Sequence, residues 1–347
     1  MLHLWIQLIL VVVSLCEECP EEYHTLLSAN FNRESRDKLF TREMIALDFN
    51  SNVEMWSSKG GTVRVGRGMN GSLGLTVKYP AGVYRSQEIE SFKIKFTPSI
   101  DVYMSYDVKF ESGFVFVKGG KLPGICGGTC NTGGWVPNGN DGFSNRFMWR
   151  PEGKIVNYIY HVGQSGKYGD DVDTGIAFTP GEWHQLASRV RLNEIGKSNG
   201  LLETWIDGNK VNFPSEYENM VWRLSSTILI DTFYFSSFFG GHTPEWAPAR
   251  DVEASFDNFL ICGHDTINSN NSSSVRHADF KSKQIVKNRL QSDGEPTFRV
   301  GFIIILLILV IFGLNFMHHF HLLRIRIPRF TTMQLPLRNI RKVNQSR

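Results

Sequence analysis

Three short segments carry most of the side chains that could perform chemistry. They are Lys118-Gly-Gly-Lys121-Leu-Pro-Gly124, Ser144-Asn-Arg146-Phe-Met-Trp-Arg150 and Tyr158-Ile-Tyr160. Together they supply cations, a hydroxyl and two phenols. Cations bind carboxylates, and a phenol donates a proton readily but acts as a base only where nearby cations stabilise the phenolate. This combination indicates chemistry on a carboxylated sugar.

The second and third segments have the spacing of a β-hairpin. Because alternate residues of a strand share a face, Ser144 and Arg146 project from one side, and so do Tyr158 and Tyr160. The intervening Pro151-Glu-Gly-Lys154 predicts a turn. A hairpin centred there sets Arg146 opposite Tyr158 and Ser144 opposite Tyr160. The four polar side chains are therefore predicted to share one sheet face.

The rest of the central region predicts an all-β fold. Residues 41–262 consist of short alternating or aromatic-rich runs broken by Gly, Asn, Asp and Pro, and Asp207-Gly208 marks a tight hairpin. We expect a jelly-roll or concanavalin-like two-sheet sandwich, whose concave face suits an extended chain ligand. The predicted strands cover residues 102–110, 114–118, 146–149, 155–161, 183–192, 202–206, 228–238 and 254–262. An aromatic set is predicted to fill the core between the sheets: Phe233, Tyr234, Phe235, Phe238 and Phe239.

The two ends of the chain differ from the central region. Residues 1–16 are predicted to be a signal peptide, and the uncharged run within residues 299–317 a transmembrane helix. Residues 17–264 would form the β-jelly-roll domain and residues 265–298 a flexible stalk. Residues 318–347 hold seven basic and no acidic residues, which places them in the cytoplasm. The expected topology is that of a single-pass type I membrane protein.

The charge distribution limits the choice of ligand. Of the 37 Lys+Arg, seven lie in the tail, which leaves 30 against 34 Asp+Glu before it. The overall charge of the domain therefore gives no attraction for a polyanion, and no nucleic acid partner is predicted. An anionic glycan must instead meet a local cluster of basic residues. The candidate cluster is Lys118, Lys121, Arg146 and Arg150.

Four cysteines remain after the predicted signal peptide, which favours two disulfides in an oxidising compartment. Of three connectivities we favour Cys126–Cys130, closing a short Gly-rich loop, with Cys19–Cys262 joining the ends of the domain. Zinc is disfavoured because no histidine lies near the Cys-x3-Cys pair. Three asparagines fit the N-glycosylation pattern: Asn70, Asn270 and Asn271.

Several motifs resemble the family 14 polysaccharide lyases, a group of alginate lyases found in marine molluscs and an algal virus. Besides the three segments above, they are Pro180-Gly-Glu-Trp-His184, Leu192-Asn193, Phe238-Phe-Gly-Gly241 and Trp246-Ala-Pro248. The resemblance covers about residues 44–262. It implies a β-jelly roll that cleaves uronate polymers by β-elimination without a metal or an organic cofactor.

This chemistry requires neutralisation of the C6 carboxylate, removal of the C5 proton and protonation of the departing O4. By the resemblance, Lys121 and Arg146 neutralise the carboxylate, Ser144 orients it, and Tyr158 and Tyr160 handle the protons. Which tyrosine performs which step stays open, and Lys121 is a further candidate base. Two outlying cations, Lys118 and Arg150, are expected to bind the substrate.

Two other classes of function are considered. The membrane anchor would suit a non-catalytic carbohydrate-binding receptor on the same fold, or a structural glycoprotein of a secretory membrane. His184 is expected to be structural, and His161 to point away from the site because it follows Tyr160 directly. The specific uronate polymer and the oligomeric state are not predicted.

Overall fold

The computed structural model describes residues 18–264, apart from residues 33, 35, 58–61 and 86–90. The predicted signal peptide, stalk, transmembrane helix and basic tail lie outside the described residues, as do Asn270 and Asn271. Within the described ranges, no helix is both long and apolar enough to cross a membrane. Asn70 is exposed in a short 3-10 turn, Met69–Gly71.

The described residues form two antiparallel eight-stranded sheets. The first, here called the back sheet, has the order β13-β12-β11-β6-β16-β4-β3, with β1 also pairing with β16. The second, the front sheet, has the order β10-β9-β8-β7-β14-β5-β2, with β15 also pairing with β7. The strands are β1 Tyr23–Ala29, β2 Val53–Ser57, β3 Val63–Arg67, β4 Leu73–Tyr79, β5 Ser91–Ser99, β6 Asp101–Phe110, β7 Gly120–Gly128, β8 Gly142–Trp149, β9 Lys154–Tyr160, β10 Asp170–Ala177, β11 Trp183–Arg191, β12 Leu201–Ile206, β13 Asn209–Lys210, β14 Ile230–Ser236, β15 Phe238–Phe239 and β16 Val252–His264.

The sheets enclose an apolar core, as the alternating sequence predicts. In β6, for example, Met104, Tyr106 and Val108 are fully buried, and the residues between them face away from the core. Aromatic rings fill much of the space, including Phe92 and Phe235, which stack with centroids 4.7 Å apart. Such rings bury large apolar areas and favour offset or edge contacts. The predicted two-sheet β-sandwich is confirmed.

One predicted strand, at residues 114–118, is wrong. The segment forms consecutive turns, with Phe114 N–H donating to the Glu111 carbonyl and Gly119 N–H to the Phe116 carbonyl. Val117 has a positive φ of 51°, which interrupts an extended strand. The alternation of Phe114 and Phe116 is typical of a strand, but here both rings enter the core beside Phe110 from a turn.

Two covalent links and one helix complete the domain. Both predicted disulfides are present, Cys19–Cys262 between the ends of the domain and Cys126–Cys130 at the end of β7. The predicted hairpin at Asp207-Gly208 joins β12 to β13. A seven-residue helix, α1 Arg42–Asp48, begins after Thr41, whose side chain accepts a hydrogen bond from the Met44 N–H.

Candidate active site

A groove of about 390 Å³ lies on the face of the front sheet that points away from the core. Its floor is formed by Lys121, Arg146, Met148, Tyr158 and Tyr160, from the adjacent strands β7, β8 and β9. The 131–134 segment and the loop before β10 form one wall. The other wall comes from the segment after β15 and from Arg85. The remaining lining residues are Arg85, Thr132, Gly133, Arg150, Tyr168, Tyr234, Phe238, Gly240, Gly241, His242 and Trp246.

The hairpin that carries the site has the predicted register. Arg146 lies opposite Tyr158, and Ser144 opposite Tyr160. The turn occupies Pro151–Gly153, where Glu152 and Gly153 both have positive φ. On the other side of β8, β7 places Gly124 opposite Arg146. A Cβ on Gly124 would lie 2.7 Å from Arg146 Cγ, so glycine makes room for this side chain.

Arg146 is a buried cation that has no anionic partner among the residues that the structure describes. Its side chain is 3% exposed, and Nε is buried without a hydrogen-bond partner among the described residues. The guanidinium lies 5.3 Å from the ring centroid of Tyr234. Burial lowers the pKa of Arg146 from its ordinary value. A buried guanidinium is costly without a counterion, so this position favours binding of a ligand carboxylate.

Lys121 occupies an equally unusual environment. Its Nζ lies 2.6 Å from Met148 Sδ and 3.1 Å from the centroid of the Tyr158 ring. Burial, with the nearby cations Arg146 and Arg150, holds the pKa of Lys121 well below its ordinary value. A lowered pKa favours the neutral amine, which is the form of lysine that can accept a proton.

The two tyrosines form a hydrogen-bonded pair, and each hydroxyl is held by a backbone N–H. Their hydroxyl oxygens lie 3.4 Å apart. Tyr160 accepts the backbone N–H of Gly134 at 3.0 Å, and Tyr158 accepts that of Gly169 at 3.2 Å. Burial first, then the hydrogen bond with Tyr160, raises the pKa of Tyr158 above its ordinary value. Tyr158 therefore remains protonated, as a proton donor requires.

Ser144 lies beneath the groove and not in its lining. It is fully buried, and its hydroxyl donates to the carbonyl of Asn131 at 2.7 Å. This contact fixes the 131–134 segment, which begins at the Cys126–Cys130 disulfide and provides the Gly134 N–H to Tyr160. The geometry gives Ser144 a role in holding the groove wall, whereas the resemblance implied that it orients the substrate.

The two outlying cations differ in position. Arg150 lines the groove, and its guanidinium makes two 2.6 Å hydrogen bonds to Asp171. Lys118 is outside the groove lining, on the exposed surface, and forms an ion pair with Glu245. The structure therefore brings Arg150 to the site but does not bring Lys118 there.

Sequence reasoning missed several groove residues. Tyr234 and Phe238 were expected in the core, but both line the groove, whereas Phe233 and Phe235 are fully buried. Strand alternation could have indicated the outward position of Tyr234, since it stands between two core residues. Met148 could have been found in the same way, two residues beyond Arg146. Tyr168 gave no local signal because it lies in a loop.

Buried polar residues connect the site strands with the back sheet. Asn145 Nδ2 donates to Ser188 Oγ, Asn157 Nδ2 donates to Asn145 Oδ1, and Thr204 Oγ1 donates to Asn157 Oδ1. All four residues are fully buried. Each asparagine is adjacent in sequence to a site residue, so this chain restrains β8 and β9 directly below the groove.

Both histidines considered above are engaged elsewhere. His184 lies in the back sheet, where Nδ1 contacts Asp207 and Nε2 accepts the Thr179 N–H. His161 contacts Asp170 and does not line the groove. In the part of the chain that the structure describes, no group of three or more His, Cys, Asp or Glu residues is placed to hold a metal ion.

Comparison with solved structures shows that this architecture is shared. Alginate lyase Aly36B has 23% sequence identity and a TM-score of 0.59, over 68% of this chain and 96% of that protein. An alginate lyase from Aplysia kurodai has 24% identity and a TM-score of 0.58, over 69% and 98%. Alginate lyase vAL-1 from Chlorella virus has 20% identity and a TM-score of 0.54, over 65% and 99%. At these identities the likeness concerns the fold.

Comparison with curated protein sequences gives no match. The family model described as polysaccharide lyase 14 matches residues 69–259, which is more than half of the chain. The matched range includes the whole hairpin and every residue of the groove floor. The chain therefore belongs to the polysaccharide lyase 14 family.

Proposed function

We propose that this protein is a lyase that cleaves a uronate-containing glycan, of the alginate or glucuronan type, by metal-independent β-elimination. The observation that carries the proposal is the juxtaposition of Arg146, Lys121 and two tyrosine hydroxyls at the floor of one groove. Arg146 is buried without a carboxylate partner in the described ranges, and Lys121 has a lowered pKa. A uronate unit would supply both the missing carboxylate and the proton to be removed.

Each required step has a suitable group in the groove. Arg146 binds the C6 carboxylate and stabilises the negative charge that develops when the C5 proton leaves. Lys121, as a neutral amine, takes that proton. The C5–H electron pair forms the C4–C5 double bond, and the C4–O4 bond breaks.

Return of a proton to O4 falls to the tyrosine pair. Tyr158 has a raised pKa and stays protonated, and its hydroxyl lies 3.4 Å from that of Tyr160. Because each hydroxyl oxygen accepts a backbone N–H, its own proton remains available for donation to the partner tyrosine or to O4. This assignment gives the base role to Lys121 and the acid role to the tyrosines.

The location of the enzyme is part of the proposal. Two disulfides in the described domain suit an oxidising compartment. With the apolar runs at both ends of the sequence, they support a type I membrane protein whose catalytic domain is extracellular or lumenal. The solved variants of Aly36B in complex with alginate tri- and tetrasaccharides support a carboxylated polysaccharide as the substrate class here.

The test is ultraviolet detection of unsaturated uronate ends. The purified full-length protein is incubated with alginates, glucuronan and animal uronate glycans. We expect product from at least one polymer. Lys121→Ala and Tyr160→Phe should each lower turnover by a factor of about 100 or more, as expected for the loss of a general base or acid. Leu47→Ala, an exposed position on α1, serves as the matched control.

Normal cleavage by both site variants would refute the site assignment. Binding of a uronan without cleavage by the wild type, across the whole panel, would favour the carbohydrate-binding receptor instead. Circular dichroism of each variant checks that its fold is retained, so that lost turnover reports on chemistry.

A further inference from the structure

An exposed aromatic rim continues the groove beyond the catalytic residues. Trp135 is 70% exposed and Val136 is 42% exposed, and they lie two and three residues after the groove-lining Gly133. Tyr168 is 52% exposed and also lines the groove. Large apolar side chains that are clustered and exposed beside a binding groove mark interaction sites more often than isolated ones do.

The segment that carries Trp135 is firmly held. Its start is fixed by the Cys126–Cys130 disulfide, and Asn131 Nδ2 donates to Asp141 Oδ2 at 2.9 Å. Trp135 N–H donates to the Thr132 carbonyl at 3.1 Å, closing a turn. The exposure of Trp135 is therefore a property of an ordered turn, and its indole is available for contact without the cost of ordering a loop.

A cation accompanies the aromatic side chains. A Cβ on Gly134 would lie 3.0 Å from Lys167 Cε and 3.3 Å from Tyr168 Cε1, so the Trp135 turn packs against both residues. Lys167 Nζ lies 5.8 Å from the centroid of the Tyr168 ring. Lys167 is exposed, and none of the ion pairs described for the domain involves it.

We propose that Trp135, Tyr168 and Lys167 form a distal subsite for one further uronate unit of the glycan chain. The apolar face of a pyranose ring can stack on an aromatic ring, and the ammonium group of Lys167 pairs with the carboxylate of that unit. Continuity with the groove makes a single glycan strand the occupant. This inference rests on the proposed function, and it predicts a preference for chains long enough to reach the rim.

The test compares chain lengths. For Trp135→Ala, kcat/KM on a polymer or a long oligouronate should fall about tenfold, mainly through KM, as expected for a lost aromatic contact. The value for the shortest oligomer that the wild type cleaves should stay unchanged. Trp135→Phe should retain most of the preference for long chains. Lys167→Gln should also lower kcat/KM on long chains and weaken its salt dependence.

Equal effects of Trp135→Ala on short and long substrates, or none on either, would overturn the subsite. Leu47→Ala again serves as the control, since Leu47 is an exposed apolar residue that does not line the groove. The same variants are tested for binding of intact uronan by affinity gel electrophoresis. If the wild type binds uronan but cleaves none, the proposed function fails. In that case weaker binding by Trp135→Ala still supports the subsite. Unchanged binding by Trp135→Ala refutes the subsite.

Discussion

Two arginines on opposite faces of the sandwich have opposite environments. Arg189, on the outer face of the back sheet, makes two hydrogen bonds to Asp101 at 2.9 and 2.7 Å and one to Glu203 at 3.0 Å. Its pKa is raised, mainly by the hydrogen bonds to Asp101. Arg146, in the groove of the front sheet, is more deeply buried, and burial lowers its pKa.

The contrast separates a structural charge from a functional one. The fold gives Arg189 two carboxylate partners, Asp101 and Glu203, so that its charge contributes to holding β6, β11 and β12 together. The fold leaves Arg146 without an anion in the part that the structure describes. Burial first, and then the charge of Arg146, lowers the pKa of the neighbouring Lys121. Uncompensated burial of this kind costs stability and is typical of sites where a ligand supplies the missing charge.

The largest expected effect is on activity, from Arg146→Met. This variant should lower kcat/KM for uronan cleavage by a factor of about 100 or more, because the developing negative charge loses its stabilising guanidinium. The melting temperature should stay the same or rise, since a buried and unpaired charge is removed. A large drop in melting temperature with retained activity would reverse the assignment of Arg146.

The matched substitution in the back sheet, Arg189→Met, should have the opposite outcome. Asp101, which is 6% exposed, would lose its cationic partner and keep the hydrogen bond from the hydroxyl of Tyr23. We expect a loss of about 1–3 kcal/mol in the free energy of unfolding, a range lowered because Arg189 is partly exposed. Urea unfolding measures this loss, and kcat/KM should remain that of the wild type. If Arg189→Met impaired catalysis without loss of stability, the comparison would fail.

The smallest expected effect concerns a buried acid on the back sheet, Asp107, whose pKa is also shifted by burial. Asp107 accepts a hydrogen bond from Asn258 Nδ2. Burial first, with the nearby Asp257 and Asp207, raises its pKa to about 6. Because the folded state holds this proton more tightly than the unfolded chain, the contribution of Asp107 to stability is greatest below about pH 4 and is lost as pH rises through about 6.

Asp107→Asn should remove that dependence. The difference in free energy of unfolding, Asp107→Asn minus wild type, should increase by on the order of 1–3 kcal/mol between pH 4 and 8. Urea unfolding at several pH values gives the difference directly, and Asn can still accept the hydrogen bond from Asn258. A difference that is constant across this range would show that Asp107 does not titrate as inferred.

Local pattern was enough to predict the central hairpin. The alternation of side chains along the strands and the turn segment between them predicted that Arg146 lies opposite Tyr158. Alternation and turns are local features, which depend on residues close together in the sequence. Local pattern failed at residues 114–118, where alternating phenylalanines enter the core from turns. It also gave no indication of the ion pairs of Lys118 and Arg150, because their partners Glu245 and Asp171 come from other segments.

The sequence by itself determined the residue types of the site and the hairpin register, and it favoured the two disulfide pairings that the structure contains. Only the tertiary structure decided the surroundings, the hydrogen bonds and the pKa values of those residues. The pairing of β7 with β8 places Lys121 near Arg146, and the 131–134 segment provides a backbone N–H to Tyr160. These features arise from removal of water and from contacts between segments that are far apart in the chain. The pKa of a side chain depends on such surroundings, which local sequence does not contain.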